Sequence, residues 1–474
     1  MADSSTFLLI FGILVTVCHV SVRSTPLVGG EGRSDHAYIH KRAPSGHVIQ
    51  AHVNANHQQN VIGSHFVGVT YDSGQAAKNF SGFDFSSRKL QNLARALTPG
   101  YFRFGGTMSD CMLFESASTS FVDECTPAPG RNFHTFTLTG HQWQALNQFV
   151  HKVGFDFIFD ANDLQRTSHG DWSPDNTRKL LQYSADRHYP IAGFQLGNEY
   201  DLFHSFFGYD LSAAQLAKDY AKFQSLLKEF PQYSSSFLIG PEAAHARPDH
   251  FKNYYFSGLT STVDDYTDVH KMDSLRKVLT EALAETHAVD PHLPVWLTET
   301  GSAYSGGTKH VSDRFAAGFL WLDKLGVAAE MGIETLLRQD LFGGNYPLID
   351  RQLNPTPDYW LTLLYKQLVR GFHAGAVVLY YLNPNGYSVT FDFPQFTSHK
   401  RLLYILTAGD SDGLLSKFVA LNGAKLQLHG DSVPQLHPLE QAAGPVVTPP
   451  HSFGFVVLPD NRVDLCRHSG ELVG

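Results

Sequence analysis

The sequence predicts an α/β protein: a (β/α)8 TIM barrel, complete or short of one βα element, with a C-terminal antiparallel β-sandwich domain. Three observations predict it. Strand-like and helix-like segments alternate from about His65 to Val369, as a parallel barrel requires. Beyond Gly371 the pattern changes to short alternating strands separated by Asn, Gly and Pro turns. Glu199 and Glu299 each close a short apolar run that reads as a buried strand, and barrels carry their functional groups at strand C-termini.

The elements follow in order. Val48 begins an edge-like strand, and His65–Thr70 reads as the first inner strand. Ser87–Ala96 is helical, Gly100–Phe104 a strand, Gly140–Val153 a helix and Phe155–Phe159 a strand. Asp175–Arg187 is a helix, Ile191–Leu196 a strand, Ser212–Phe230 a helix and Phe237–Gly240 a strand. Val295–Thr298, helix Asp313–Gly326, strand Ile333–Arg338 and helix Pro357–Val369 complete the alternation. Val377–Leu382, Leu402–Leu406, Phe418–Leu421 and Phe453–Leu458 are the strands of the smaller domain. The expected boundaries are a signal peptide over 1–24, a disordered leader over 25–47 and a strand over 48–58 lent to the β-sandwich. The barrel then spans 59–370 and the sandwich 371–474.

Composition narrows the class. The 474 residues are 43% hydrophobic and 17% charged, which describes a globular chain with a large core. A net charge of −9 gives no support to nucleic-acid binding. Protonating the 25 histidines would turn that charge positive in an acidic compartment, where a polyanion would be attracted. Phe7–Val20 is an apolar run followed by small residues, the pattern of a secretory signal, although Met1–Thr6 lacks Lys and Arg. No later stretch is apolar enough to cross a membrane. With export, Cys111 and Cys125 become a candidate disulfide pair, Cys466 is left over, and the Asn79 sequon becomes a candidate glycosylation site.

Chemistry centres on the two glutamates. Retaining glycoside hydrolysis needs a proton donor with a raised pKa and a nucleophilic carboxylate about 5–5.5 Å away. Asn198, immediately before Glu199, is placed to hold a sugar 2-hydroxyl. The histidines show no ligand spacing, so neither metal nor cofactor is expected.

At this point long motifs add a resemblance. Val295–Leu325, Tyr101-Phe-Arg-Phe-Gly-Gly-Thr-Met-Ser-Asp110, Gln195-Leu-Gly-Asn-Glu199, Met331-Gly-Ile-Glu334, Asp358-Tyr-Trp-Leu361 and Asp412-Gly-Leu-Leu-Ser-Lys417 resemble glycoside hydrolase family 79, the heparanase family. The likeness runs from about Val48 to Leu458. It implies a barrel carrying a β-sandwich and endo-β-glucuronidase cleavage of heparan sulfate or a related glycosaminoglycan. Glu199 would be the proton donor and Glu299 the nucleophile. Asp72, Thr107, Asn198, Arg247, Gly306, Gln339, Asn345 and Tyr346 would bind substrate. A secreted, matrix or lysosomal monomer is expected, with a heparin-like polyanion as partner. The alternatives are an exo-acting β-glucuronidase on the same fold and a non-catalytic heparan-sulfate-binding homologue or short form.

The chain departs from the family pattern in three places. After Pro248 it passes almost at once to His250-Phe-Lys-Asn-Tyr-Tyr255, where the family has a helix and a strand. Either His250 or Lys252 would then stand where the family has a histidine beside the nucleophile. Between Leu368 and Val377 a strand pair and a cysteine are missing. Phe114–Arg131 is far shorter than the linker excised from vertebrate relatives, so cleavage into two chains is not expected.

Overall fold

The computed structural model describes residues 48–53, 60–115, 125–244, 262–303, 306–370 and 376–459, and the backbone of 17–18 and 22–25. Most of the expected signal segment and leader, with Arg247, His250, Lys252 and Cys466, lie outside the described residues.

Among the described residues seven parallel strands form the main sheet: β1 Val67–Asp72, β2 Tyr101–Gly105, β3 Asp156–Ala161, β4 Gly193–Leu196, β5 Phe237–Leu238, β6 Trp296–Thr300 and β7 Thr335–Arg338. They pair in the order β5-β4-β3-β2-β1-β7-β6, so the sheet curls like a barrel with β5 and β6 as its two edges. Among the described residues the opening falls between β5 and β6. Central strands are buried on both faces because helices cover the outside and side chains fill the inside. The edge strands β5 and β6 are only partly buried, as expected of strands lacking a neighbour.

Local sequence explains the surrounding helices. Gly140–Val153 starts at a capping box, with Thr139 and Gln142 each bonding the other's backbone, and ends at Gly154 with φ 94°. Ser87 caps Arg88–Ala96, and Ser212 caps Ala213–Lys228, each through its side-chain oxygen. Helix Ser274–Val289 had no counterpart in the sequence reading. It buries only Leu275 and Leu279, too sparse a stripe to give a strong period.

The expected helix Asp313–Gly326 is corrected to Ala317–Met331. Its start is delayed because Phe315 and Ala316 donate their N–H groups to Ser416 and Leu414 carbonyls of the small domain. It runs through Gly326 to a left-handed Gly332, and it is buried almost all round because the two domains close on it. Phe453 stacks on Phe315 with centroids 4.8 Å apart and meets Phe319 edge-on at 5.0 Å, stitching small domain to barrel.

The small domain has two sheets. One pairs Val377–Asn383, Ser452–Leu458, Arg401–Ala408, Val419–Leu421 and Ala424–Lys425 in that order, with Leu439–Gln441 beside Arg401–Ala408. The other orders Val22–Thr25, Val48–Val53, Val389–Asp392 and Val446–Thr448, so Val48–Val53 joins a sheet built from the far end of the chain. Among the described residues no helix is long and apolar enough to cross a membrane.

Candidate active site

The site is organised around a charge buried in an apolar strand. Arg103, on β2 between Phe102 and Phe104, has a side chain with no exposure. Phe102 and Phe104 turn outward into the core, so strand alternation aims Arg103 into the barrel. Its Nη1 donates to Glu299 Oε2 at 3.0 Å, and its Nη2 to Asn198 Oδ1 at 2.8 Å and Asp160 Oδ2 at 3.2 Å. Nε donates to Gln195 Oε1, and Glu242 Oε1 stands 3.8 Å from Nη2. One planar guanidinium therefore ties β2, β3 and β6 to the turn after β4, which a lysine could not do.

Glu299 is the fourth residue of β6, inside the strand rather than just past it as read from sequence. Its side chain is 27% exposed and opens on the cavity. Behind it, Lys324 Nζ donates to Thr300 Oγ1 at 3.1 Å and to the Gly301 carbonyl at 2.6 Å. Burial, then the charge of Arg338, pushes Lys324 down to about 7.

Glu199 lies three residues beyond β4, at φ +52°, a left-handed backbone that is uncommon outside glycine. Surrounding acceptors hold the turn. Asp110 Oδ2 takes the Asn198 N–H at 2.9 Å, and Glu242 Oε2 takes the Glu199 N–H at 2.7 Å. The Asn198 amino group reaches Glu199 Oε2 at 3.3 Å. Asn198 is thus buried behind Glu199, its carbonyl on Arg103, rather than facing the opening.

The electrostatics favour protons on the carboxylates. Burial raises Glu199 well above the ordinary carboxylate range, with Glu299, Glu242 and Asp201 adding repulsion. Glu299 is pushed up to about 7 by burial, while Arg103 pulls it down and Glu242 and Asp72 push it up. Arg103 donates directly to Glu299 and reaches Glu199 only through the Asn198 amide, so a proton shared by the pair is favoured on Glu199. A neutral acid can protonate a leaving oxygen while an Arg-stabilised carboxylate beside it attacks the carbon that the oxygen leaves.

Glu199 and Glu299 line one cavity of about 2580 Å³, together with Asp72, Thr107, Gly306, Gln339 and Tyr346. Asp72 is raised by burial, against the Gly74 N–H it accepts at 2.8 Å. Tyr346 packs beneath Gly301 and Gly307, where any β-carbon would meet its ring. Asn345 stands outside the lining and donates through its backbone and side chain to the Gly306 and Gly307 carbonyls at 2.6 and 3.0 Å. Asn79 is exposed, and the Cys111 and Cys125 sulfurs are bonded with Cα atoms 4.9 Å apart. Among the described residues no group of three or more His, Cys, Asp or Glu is placed to hold a metal.

Sequence reasoning missed Arg103, Asp160 and Glu242. Arg103 carried a signal as the lone charge inside an apolar strand, and Asp160 as a buried acid following the apolar run Phe157–Phe159. Glu242 follows Gly240-Pro241 at the end of β5, and nothing local distinguishes it from an ordinary loop glutamate.

Comparison with known proteins bears on the family and the fold. The profile of glycosyl hydrolase family 79, N-terminal domain, matches residues 71–270 and 257–326. The heparanase of Gallus gallus is 30% identical over 465 residues, 80% of this chain and 89% of that protein. The hyaluronoglucuronidase of Hirudo nipponia is 29% identical over 484 residues, 86% of this chain and 98% of that protein. A 4-O-α-L-rhamnosyl-β-D-glucuronidase structure from Fusarium oxysporum superposes with TM-score 0.58 at 17% identity, covering 84% of this chain and 96% of that one, and so supports the fold.

Proposed function

Because the chain belongs to glycoside hydrolase family 79 and is a glycosidase of β-glucuronidase type, we propose that it hydrolyses glucuronidic linkages within heparan sulfate or a related glycosaminoglycan with retention of configuration. The observation that carries this reading is the single cavity shared by Glu199 and Glu299, with Arg103 bound to Glu299 and to the amide that reaches Glu199.

In this reading Glu199 gives its proton to the glycosidic oxygen as that oxygen leaves C1. Glu299, its negative charge held by Arg103, attacks C1 and forms a covalent glycosyl-enzyme. Glu199, now ionised, takes a proton from water, whose oxygen attacks C1 and frees Glu299. The net change is one bond hydrolysed. Asp72, Thr107 and Gln339 offer hydroxyl partners along the cavity, and the turn at Gly306 presents backbone to a uronate carboxylate. Export to an oxidising compartment is part of the proposal, supported by the Cys111–Cys125 bond.

Defined heparan sulfate and hyaluronan oligosaccharides, with products read by size and anomeric configuration, test the reading. Internal cleavage with retention is expected. Glu199→Gln should lower the rate about 10²–10⁴-fold, and Glu299→Gln should abolish hydrolysis while heparin binding persists. An inverted product, or an active Glu299→Gln, would overturn the assignment.

A further inference from the structure

Among the described residues the sheet is interrupted between β5 and β6, yet β6 carries the nucleophile and β5 pairs with β4, which leads into the acid turn. In an intact parallel barrel the ladder between neighbouring strands sets the relative position of their C-terminal ends. Here β5 is two residues long and, among the described strands, pairs with β4 alone, so side chains take up that work.

Among the described residues two sets of contacts span the interval. On the barrel floor Phe237 of β5 meets Trp296 of β6 with centroids 5.4 Å apart, and Tyr101 of β2 packs on both. At the catalytic end the span is made by Glu242. Its Oε1 accepts from Thr298 Oγ1 on β6 at 3.1 Å, and its Oε2 accepts from the Glu199 N–H at 2.7 Å. Its backbone carbonyl accepts from the Tyr200 N–H at 3.3 Å. Thr298 immediately precedes Glu299. One buried side chain thus touches the residue next to the nucleophile and the backbone of the acid itself. The left-handed Glu199 conformation needs such outside support to persist.

We propose that Glu242 is a positioning residue, a carboxylate clip across the open seam that holds the Glu199 turn against β6 and so sets the spacing of the two glutamates. It rests on the reading of Glu199 and Glu299 as acid and nucleophile. The charged or titratable groups facing Glu242 are Arg103 on β2, Asp160 on β3, Glu199 after β4, Tyr220 on helix Ala213–Lys228 and Glu299 on β6. Of these only Arg103 is a cation. The Glu242 charge therefore also strengthens the hold of Glu199 on its proton.

The test uses the full chain, a glucuronide substrate, and the variants Glu242→Gln, Thr298→Val and their combination. A glutamine keeps the length but has one acceptor atom and no charge. Glu242→Gln should lower kcat about 10–100-fold, since misplacement by an ångström costs rates of that order, with KM changed less than about 2-fold. The alkaline limb of its pH profile should move to lower pH. Thr298→Val should lower kcat without moving that limb. In thermal unfolding the double variant should melt no lower than the weaker single variant, because both changes break one clip. Unchanged kcat and pH limbs in Glu242→Gln, or additive melting shifts, would overturn the proposal. If Glu242→Gln does not fold, Thr298→Val decides: wild-type kcat there rules the clip out. If the wild type cleaves no glucuronide, the functional reading fails, while the melting cycle still decides whether the clip exists.

Discussion

Replacing Arg103 by methionine should destabilise the barrel in a strongly pH-dependent way. The side chain is fully buried, with the carboxylates of Glu299, Asp160 and Glu242 at 3.0, 3.2 and 3.8 Å. Methionine fills much of the volume but removes the cation and the bonds to Gln195 and Asn198. At pH 5 the carboxylates answer by keeping their protons, since Asp160 and Glu299 are already pushed up to about 7 with the arginine present. The loss there is mainly hydrogen bonds, about 1–2 kcal/mol. At pH 8 the unfolded chain has released those protons and the folded variant holds them more tightly than wild type. A tenfold tighter hold at each of the two groups costs about 1.4 kcal/mol apiece, bringing the total near the 3–5 kcal/mol typical of a buried ion pair deprived of one partner. Urea unfolding followed by tryptophan fluorescence reports this directly, because Trp143, Trp172, Trp296, Trp321 and Trp360 all lie within the span of the barrel. Equal losses at pH 5 and pH 8, or a smaller loss at pH 8, would refute the reasoning.

The wild type itself should lose stability as pH rises from about 4 to about 7. Asp160, Asp323 and Glu299 have folded pKa values raised to about 7 from ordinary carboxylate values, so the folded state binds more protons throughout that window. A Tm that climbs between pH 5 and pH 7 would contradict this. Lys324 acts oppositely, its depressed value adding stability as pH rises above 7. Gly318→Ala should lower stability by about 1–3 kcal/mol, despite better helix propensity, because the new methyl would lie 2.3 Å from the Phe453 ring; a neutral change in urea midpoint would show that the domain junction yields freely. Thr139→Ala removes one side of a capping box and should cost about 1 kcal/mol, read as a lower urea midpoint at unchanged slope.

Much of the fold was legible because its signals are local. Helix Gly140–Val153 was read to the residue, since Thr139, Gln142 and Gly154 state both ends within a turn of the chain. The strands β1 to β7 were each recognisable from apolar runs, with ends displaced by a few residues. His65, for example, belongs to a turn before β1, where its Nε2 meets Asp156 Oδ2 at 2.7 Å. Helix Ser274–Val289 escaped because its buried stripe is thin, and the start of Ala317–Met331 was displaced because carbonyls of the other domain take its first amides.

Glu199 and Glu299 were visible as two acids ending apolar strands, and the family resemblance pointed to them and to Asp72, Thr107, Gly306, Gln339 and Tyr346 in the cavity lining. Neither periodicity nor motif could say what governs their protons. Arg103 meets Glu299 from 196 positions away, and Thr298 meets Glu242 from 56. Charge strength in a protein depends on depth from water and on neighbours within a few ångströms. Capping and alternation act over a handful of bonds, so the order of residues suffices to write the strands, the helices and the pair of acids. The open edge between β5 and β6, and the guanidinium and third carboxylate that answer it, exist only once the sheet has curled and brought distant segments side by side.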